Sequence, residues 1–189
     1  MFNLFHLSLK LSGFPIAKAQ ADFEKILAIS EADYPNYLET KKREIVEFHL
    51  KNNTFYQNLV GKKTFENWND LPVLTKKDLQ KPLKDRLSKG YSEKTVFVNK
   101  TSGSSGDPFV FAKDKEAHAI TWASIIYRFG WYGVDFNSSY QARFYGIPLD
   151  KFGYYKERFK DFLAKRYRFP IFDLSDVFYI LPIVDHFSI

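Results

Sequence analysis

Residues 101–108 read Thr101-Ser102-Gly103-Ser104-Ser105-Gly106-Asp107-Pro108, and the rest of the chain is organised around them. Alternating runs flank this loop, Thr95 to Asn99 before it and Phe109 to Ala112 after it, and alternation predicts two strands that the loop joins. The two glycines allow the backbone to turn several N–H groups toward one point, and the four hydroxyl side chains add donors. The sequence therefore predicts an anion site, above all for phosphate.

The spacing of the loop excludes three common motifs. A Walker loop continues with Lys and Ser or Thr after its last glycine, whereas Gly106 is followed by Asp107 and Pro108. This loop lacks the first glycine of the dinucleotide-binding fingerprint. It also differs from the Gly-x-Ser-x-Gly elbow of hydrolases, because only two residues separate Gly103 from Gly106 where the elbow has three. The loop must be compared with other phosphate-binding loops.

The loop resembles the Thr-Ser-Gly-Ser/Thr-Thr-Gly-x-Pro loop of adenylate-forming enzymes, the acyl-CoA synthetase superfamily. Two further segments, 49–56 and 71–79, resemble in the same order the entry segment and the Leu-Pro-x-x-Thr-Lys-x-Asp-Leu segment of phenylacetate–CoA ligase and its capsular-polysaccharide-biosynthesis relatives. The resemblance covers roughly residues 35 to 145, and residues 1–34 match only loosely, as a helical lead-in.

This resemblance implies an ATP-dependent, AMP-forming carboxylate ligase, with ATP, Mg²⁺ and a carboxylic acid as its ligands. It implies one set of residues that bind the nucleotide phosphates, and it assigns no catalytic residue or nucleophile. The set is Thr101, Ser102, Gly103, Ser104, Ser105 and Gly106. The chain departs from the family loop at Ser105, where Thr is usual, and at Asp107, whose carboxylate must point away from a polyphosphate.

The family's adenine, ribose and C-terminal lysine segments have no match in this chain. We therefore expect a truncated N-terminal portion of an AMP-binding domain, residues 1–189 forming a single α/β domain with helices packed on a mixed β-sheet. We expect it to lack adenylation activity alone.

The chain carries a net charge of +6, contains no cysteine and is 19% aromatic. The charge favours anionic partners, and the aromatic content predicts a core rich in Phe. Disulfides, thiolate catalysis and Cys-based zinc sites are excluded, and no two histidines have the spacing of metal ligands. Asp114 is predicted to cap the helix that follows the second strand. His118 follows Asp114 by four residues on this helix, and we favour a local structural role for His118 over a catalytic one.

Residues 151–169 predict a basic amphipathic helix, with Phe152, Tyr155, Phe159, Phe162 and Leu163 at helical spacing. We interpret it as a solvated charged face over an aromatic core stripe. The alternative function for the chain is a non-catalytic module in which this helix binds nucleic acid or an anionic surface. Glu157 and Asp161 interrupt its positive field and disfavour that alternative, nucleic acid included.

The remaining pattern predicts helices over 21–29, 35–52, 76–81 and 115–129 and a strand over 139–145. Thr75 and Asp78 form a capping-box variant at the start of the helix over 76–81. The inner stripe predicted for the helix over 35–52 comprises Leu38, Ile45, Phe48 and His49. Residues 1–19 are apolar, but His6 and Lys10 interrupt the run and argue against a signal peptide. The uncharged runs fall short of the roughly 18 residues that span a bilayer. The expected compartment is the cytoplasm.

Overall fold

The computed structural model describes residues 4–61, 64–101, 108–144 and 151–169. The chain folds as two compact units. The central unit comprises Ala17–Thr121, and the terminal unit comprises Met1–Ile16 together with Trp122–Ile189. Both contain helices and strands, so the predicted combination of helix and sheet is confirmed in its coarse form.

The described residues contain seven α-helices, one 3-10 helix at Trp68–Asp70 and four short strands, joined by turns and loops. The helices are α1 Leu4–Leu11, α2 Ile16–Leu27, α3 Tyr34–Asn52, α4 Thr54–Val60, α5 Leu83–Arg86, α6 Lys115–Gly130 and α7 Lys151–Leu163. The strands are β1 Phe97–Lys100, β2 Val110–Lys113, β3 Gln141–Phe144 and β4 Arg166–Phe169. β1 pairs with β2 in antiparallel fashion, and β3 pairs with β4 in parallel.

Helix α3 begins as predicted, with Pro35 in its first turn, where the missing N–H costs no hydrogen bond. Its buried face differs from the predicted one. Val46 and Leu50 are buried, whereas Leu38 and Ile45 of the predicted inner stripe are exposed. The buried pair lies four residues apart and leads directly to Asn53, which is also buried, so a narrow stripe at the C-terminal end of α3 carries the packing.

The predicted helix over 76–81 is wrong, although its cap forms. Asp78 Oδ2 accepts hydrogen bonds from the backbone N–H of Thr75 at 2.8 Å and from its hydroxyl at 2.6 Å. These hydrogen bonds close a turn over 76–79, and helix resumes only at Leu83, after Pro82. Because Pro82 follows so soon after the turn, too few helical hydrogen bonds can form to offset the free-energy cost of helix nucleation.

Aromatic rings lie in the core of the terminal unit, whereas the buried apolar side chains described in the central unit are aliphatic, so the core rich in Phe that the composition predicts is found in the terminal unit alone. Phe5 and Phe136 are buried and stack at 4.9 Å between ring centroids, and Trp122 meets Phe5 edge to face at 5.2 Å. Leu9, Ile16 and Ala164 complete the buried cluster. Such ring pairs add roughly 0.5–1.5 kcal/mol each beyond the area that they bury.

Residues 151–169 depart most from the prediction. The helix ends at Leu163, and Arg166–Phe169 form strand β4 after Lys165, whose φ of 46° turns the chain. The predicted burial is reversed, because Phe152 is 82% exposed while Asp161 is only 2% exposed. The interpretation of a solvated charged face over an aromatic core stripe is therefore wrong.

Ion pairs cause this reversal. Asp161 Oδ1 accepts hydrogen bonds from Arg166 Nε at 2.7 Å and from Arg168 Nε at 2.9 Å. Arg168 Nη2 also donates to Glu157 Oε2 at 2.7 Å. Both arginines come from β4, so pairing of β4 with β3 brings guanidinium groups beneath the acidic side of α7 and holds that side inward.

Candidate functional site

The predicted phosphate loop is closed by an antiparallel hairpin, as the alternating flanks predict. β1 and β2 pair in register from Phe97 opposite Lys113 to Lys100 opposite Val110. Beyond the last pair, Thr101 N–H donates to the carbonyl of Phe109 at 2.9 Å, and Phe109 N–H donates to Thr101 Oγ1 at 2.9 Å. This pair of bonds forms the neck of the loop.

Thr101 is the one predicted phosphate-binding residue within the described part of the chain. It is exposed, as is Pro108 at the other end of the loop, and neither residue belongs to a helix. The other predicted residues, Ser102, Gly103, Ser104, Ser105 and Gly106, lie outside the described residues. Because Thr101 Oγ1 already accepts a hydrogen bond, its own hydroxyl proton can be donated to a ligand.

Helix α6 begins at Lys115, directly after the hairpin and at the predicted residue. Asp114 Oδ1 accepts the backbone N–H of Ala117 at 2.6 Å, which is the N-cap arrangement that satisfies an otherwise unpaired donor. His118, one turn into α6, stacks on Phe97 of β1 with 3.7 Å between centroids. Burial, and to a lesser degree the nearby Lys113 charge, lowers the pKa of His118. This ring therefore ties the helix to the hairpin in its neutral form.

Arg86 supports the hairpin beside its neck, and sequence reasoning missed it. Its Nη2 donates to the carbonyl of Val110 at 2.6 Å, and its Nε donates to the carbonyl of Lys81 at 2.9 Å. The guanidinium lies 5.5 Å from the centre of the Phe109 ring, and burial lowers its pKa. Arg86 lies in a short run of charged residues with Lys84 and Asp85. The sequence pattern therefore gives no sign that Arg86 differs from an ordinary charged residue on the surface.

A cavity of about 340 Å³ lies beside the hairpin within the central unit. The C-terminal end of α3, residues 83–91, strand β2 and the first turn of α6 form its walls. The lining is mostly apolar and includes Phe48, Leu83 and Phe111, with His49, Arg86 and Lys113 as its basic members. An apolar cavity with a few convergent polar groups is the usual form of a small-molecule site.

Three polar side chains form a hydrogen-bonded network at one wall of this cavity. Asn53 Nδ2 donates to Ser88 Oγ at 3.0 Å and to the carbonyl of Arg86 at 2.8 Å, while Ser88 Oγ lies 3.3 Å from His49 Nδ1. Ser88 Oγ accepts from Asn53, and the tautomer of the neutral His49 ring decides whether Ser88 Oγ donates its proton to Nδ1 or accepts a second hydrogen bond from it. Burial lowers the pKa of His49 and favours the same neutral state.

This network has a structural role. Ser88 is 8% exposed, and its contact with His49 is long for a nucleophile and its base. Among residues 4–61, 64–101, 108–144 and 151–169, no cluster of three His, Asp or Glu side chains is arranged to hold a metal ion. The network fixes one wall of the cavity, and the cavity can hold a ligand beside the hairpin. Sequence spacing could not reveal the network, because His49 and Ser88 lie 39 residues apart.

A second surface lies on α7 in the terminal unit, where an aromatic face is exposed. Burial works to raise the pKa of Glu157, but hydrogen bonds from Lys160 and Arg168 outweigh it and hold that pKa below its usual range. Burial works to lower the pKa of Arg168, but the hydrogen bonds that Arg168 donates to Asp161 and Glu157 outweigh it, so this pKa is raised. Both shifts favour the ionised forms of Glu157 and Arg168.

Comparison of the chain with protein-family models, with curated proteins and with solved structures gave no significant match. None of the helices in the described ranges combines the length and the apolar character that crossing a bilayer requires.

Proposed function

We propose that this chain is the N-terminal, phosphate-binding portion of an ATP-dependent, AMP-forming carboxylate ligase similar to phenylacetate–CoA ligase. The observation that carries the proposal is the hairpin neck, where Thr101 and Phe109 exchange two hydrogen bonds at the exposed ends of a loop of glycine and hydroxyl residues. In this proposal Thr101, Ser102, Ser104 and Ser105 donate hydroxyl protons, and Gly103 and Gly106 free the backbone N–H groups, toward the phosphates of ATP.

The chemistry proposed for the site is alignment and charge stabilisation. Mg²⁺ and the loop donors would hold the polyphosphate while a carboxylate oxygen attacks the α-phosphorus, which releases pyrophosphate and leaves an acyl-adenylate. The cavity beside the hairpin is a suitable place for an apolar acid, since its walls are mostly carbon. The cytoplasm, where ATP is abundant, is the compartment that this proposal implies.

The binding half of the proposal is tested with magnesium-ATP and the purified chain. We expect saturable binding by isothermal titration calorimetry and a raised melting temperature, both lost in Gly103→Val, because a β-branched residue cannot adopt the backbone conformations that glycine allows. Gly130→Val is the matched control, since nothing lies within 4 Å of a Cβ at Gly130. Binding that survives Gly103→Val, or that Gly130→Val removes equally, would contradict a phosphate site in the loop.

The catalytic half is tested by pyrophosphate exchange with a panel of carboxylic acids. Because the segments that complete the site in similar ligases have no match here, we expect no exchange from this chain alone. Robust exchange would show that the chain carries a complete adenylation site.

A second candidate function is nucleic-acid binding through the basic segment 151–168. The structure gives specific reasons against this candidate, since Arg166 and Arg168 are committed to Asp161 and Glu157 and are shielded from a phosphate backbone. Salt-dependent binding of oligonucleotides that is unaffected by Ser102→Ala or Ser105→Ala would favour it over the ligase.

A further inference from the structure

Helix α7 presents four aromatic rings to solvent along one side, and we name this set the aromatic stripe. The exposed fractions lie between 63% and 82%. The members are Phe152, Tyr155, Phe159 and Phe162. Their spacing of three and four residues places them in one row, roughly 15 Å long at 1.5 Å per residue. A contiguous exposed row of large rings is uncommon on a monomer and marks a contact surface.

The ion pairs on the opposite side of α7 hold the stripe outward. Asp161 is 2% exposed and Arg168 is 5% exposed, and they contact each other through two hydrogen bonds of 2.9 and 3.0 Å. Rotating α7 to bury the stripe would pull Asp161 away from Arg166 and Arg168 and leave these charges without partners, which is costly. The outward direction of the stripe is therefore a built feature of the terminal unit.

Positive charge accompanies the stripe. Residues 151–168 contain seven Lys and Arg and two Asp and Glu, a net charge of +5 in a chain whose total is +6. Lys156 and Lys160 are exposed and each follows a stripe residue directly in sequence. The carboxylate of Asp161 is engaged by two arginines, and that of Glu157 by Arg168 and by Lys160 at 2.6 Å, so both contribute little outward negative field. The partner of this surface must then be apolar at its centre and negatively charged around it.

From this combination we propose that the aromatic stripe of α7 binds the surface of an anionic lipid bilayer, with the helix lying in the plane of the interface. An interfacial helix has this composition, with Phe on the lipid side and lysines beside it. At 13 residues α7 is too short to span the roughly 30 Å hydrocarbon layer, so it lies on the membrane and does not cross it. This proposal is independent of the ligase proposal, because it concerns the terminal unit and does not involve the loop at 101–108.

Two features favour a bilayer over a macromolecule with fixed geometry. Three of the four stripe residues are Phe, whose rings make no hydrogen bonds, so the surface has little means to recognise a particular partner. The arginines that would grip nucleic-acid phosphates are buried in ion pairs, whereas the exposed lysines act as point charges, which suffice for anionic headgroups.

The test is co-sedimentation of the full chain with vesicles of phosphatidylcholine and phosphatidylglycerol in equal parts, and with vesicles of phosphatidylcholine alone. We expect binding to the anionic vesicles that is weakened at least about tenfold by Phe152→Ser combined with Phe159→Ser, since each ring removed takes apolar area out of the interface. Lys156→Gln combined with Lys160→Gln is expected to weaken binding and to reduce its salt dependence. Both Phe side chains are exposed, so the variant is expected to fold, which circular dichroism checks.

The matched control is Trp131→Ser combined with Tyr132→Ser, which removes two other exposed rings of the same unit. Unchanged vesicle binding in this control, with loss in the stripe variant, supports the proposal. Equal loss in both variants, equal binding to vesicles of phosphatidylcholine alone, or no sedimentation with either vesicle overturns it. So does a stripe-dependent dimer in analytical ultracentrifugation without vesicle binding, or stripe-dependent binding of an oligonucleotide that vesicles do not displace.

Discussion

At the scale of single residues, the side chain of Asn53 connects several segments of the central unit. It is 4% exposed, caps α4 by accepting Tyr56 N–H at 2.9 Å, and donates to Arg86 and Ser88. Its backbone N–H closes α3 on the carbonyl of His49. One amide thus joins two helices to the segment that supports the hairpin.

We predict that Asn53→Ala lowers the free energy of unfolding by about 2–4 kcal/mol, because it removes a cap and leaves a buried carbonyl and hydroxyl without their donor. Urea denaturation measures the loss. Asn52→Ala is the control, since the side chain of Asn52 donates only to the carbonyl of Phe48 in its own helix. Equal losses in the two variants would show that the network around Asn53 adds nothing.

Asp161 allows a similar test in the terminal unit. We predict that Asp161→Asn costs about 3–5 kcal/mol, because the neutral amide leaves buried guanidinium groups of Arg166 and Arg168 without a counter-charge. Thermal unfolding followed by circular dichroism measures the effect. Asp22→Asn serves as the comparison, since Asp22 also pairs with two cations, Lys18 and Lys25, but at the solvent-exposed surface, where only a small loss is expected. A small loss in both variants would contradict the role given to the buried pair in orienting α7.

At the scale of elements, the boundary between β2 and α6 rests on one side chain. We predict that Asp114→Ala lowers stability by about 1 kcal/mol through loss of the N-cap to Ala117, whereas Asp114→Ser, which retains an oxygen acceptor, loses much less. Urea denaturation of both variants separates the hydrogen bond from the charge. An equal loss in the two variants would mean that the negative charge at the start of the helix matters more than the cap.

The elements also show where sequence patterns are reliable. The loop 101–108, the two strands beside it and the start of α6 follow from alternation, glycine and a capping Asp, all of which act over a few residues. The helix predicted over 76–81 failed although Thr75 and Asp78 made the predicted bonds, because a cap cannot offset the cost of starting a helix that Pro82 interrupts. Local signals located this turn correctly and overstated its length.

At the scale of the whole molecule, two partly buried histidines predict how stability varies with pH. Burial lowers the pKa of His49, and burial together with Lys113 lowers the pKa of His118. Both folded-state pKa values lie below the unfolded value of about 6.5, so the unfolded chain takes up protons first as the pH falls. The contribution of the two neutral rings to the free energy of unfolding is fully present above about pH 6.5 and is lost as the pH falls through their folded-state pKa values.

We therefore predict that the free energy of unfolding is lower at pH 5.5 than at pH 7.5 and that His49→Gln combined with His118→Gln flattens the difference. Urea denaturation at the two pH values measures it. Carboxylates with lowered pKa, such as Asp78 with its hydrogen bonds from Thr75, titrate at lower pH and do not contribute in this window. A pH dependence unchanged in the double variant would refute the role assigned to the two rings.

The sequence by itself determined the hairpin around residues 101–108, the N-cap at Asp114 and the concentration of charge and rings in residues 151–168. Each of these is a short-range property, since it depends on neighbours within about four positions. Only the tertiary structure decided that Asn53 reaches Ser88 and His49, that Arg86 supports the hairpin, and that α7 turns its rings outward. The last choice could not be read from α7 itself, because its hydrophobic period predicts a buried aromatic face, whereas arginines from β4 held the acidic side inward.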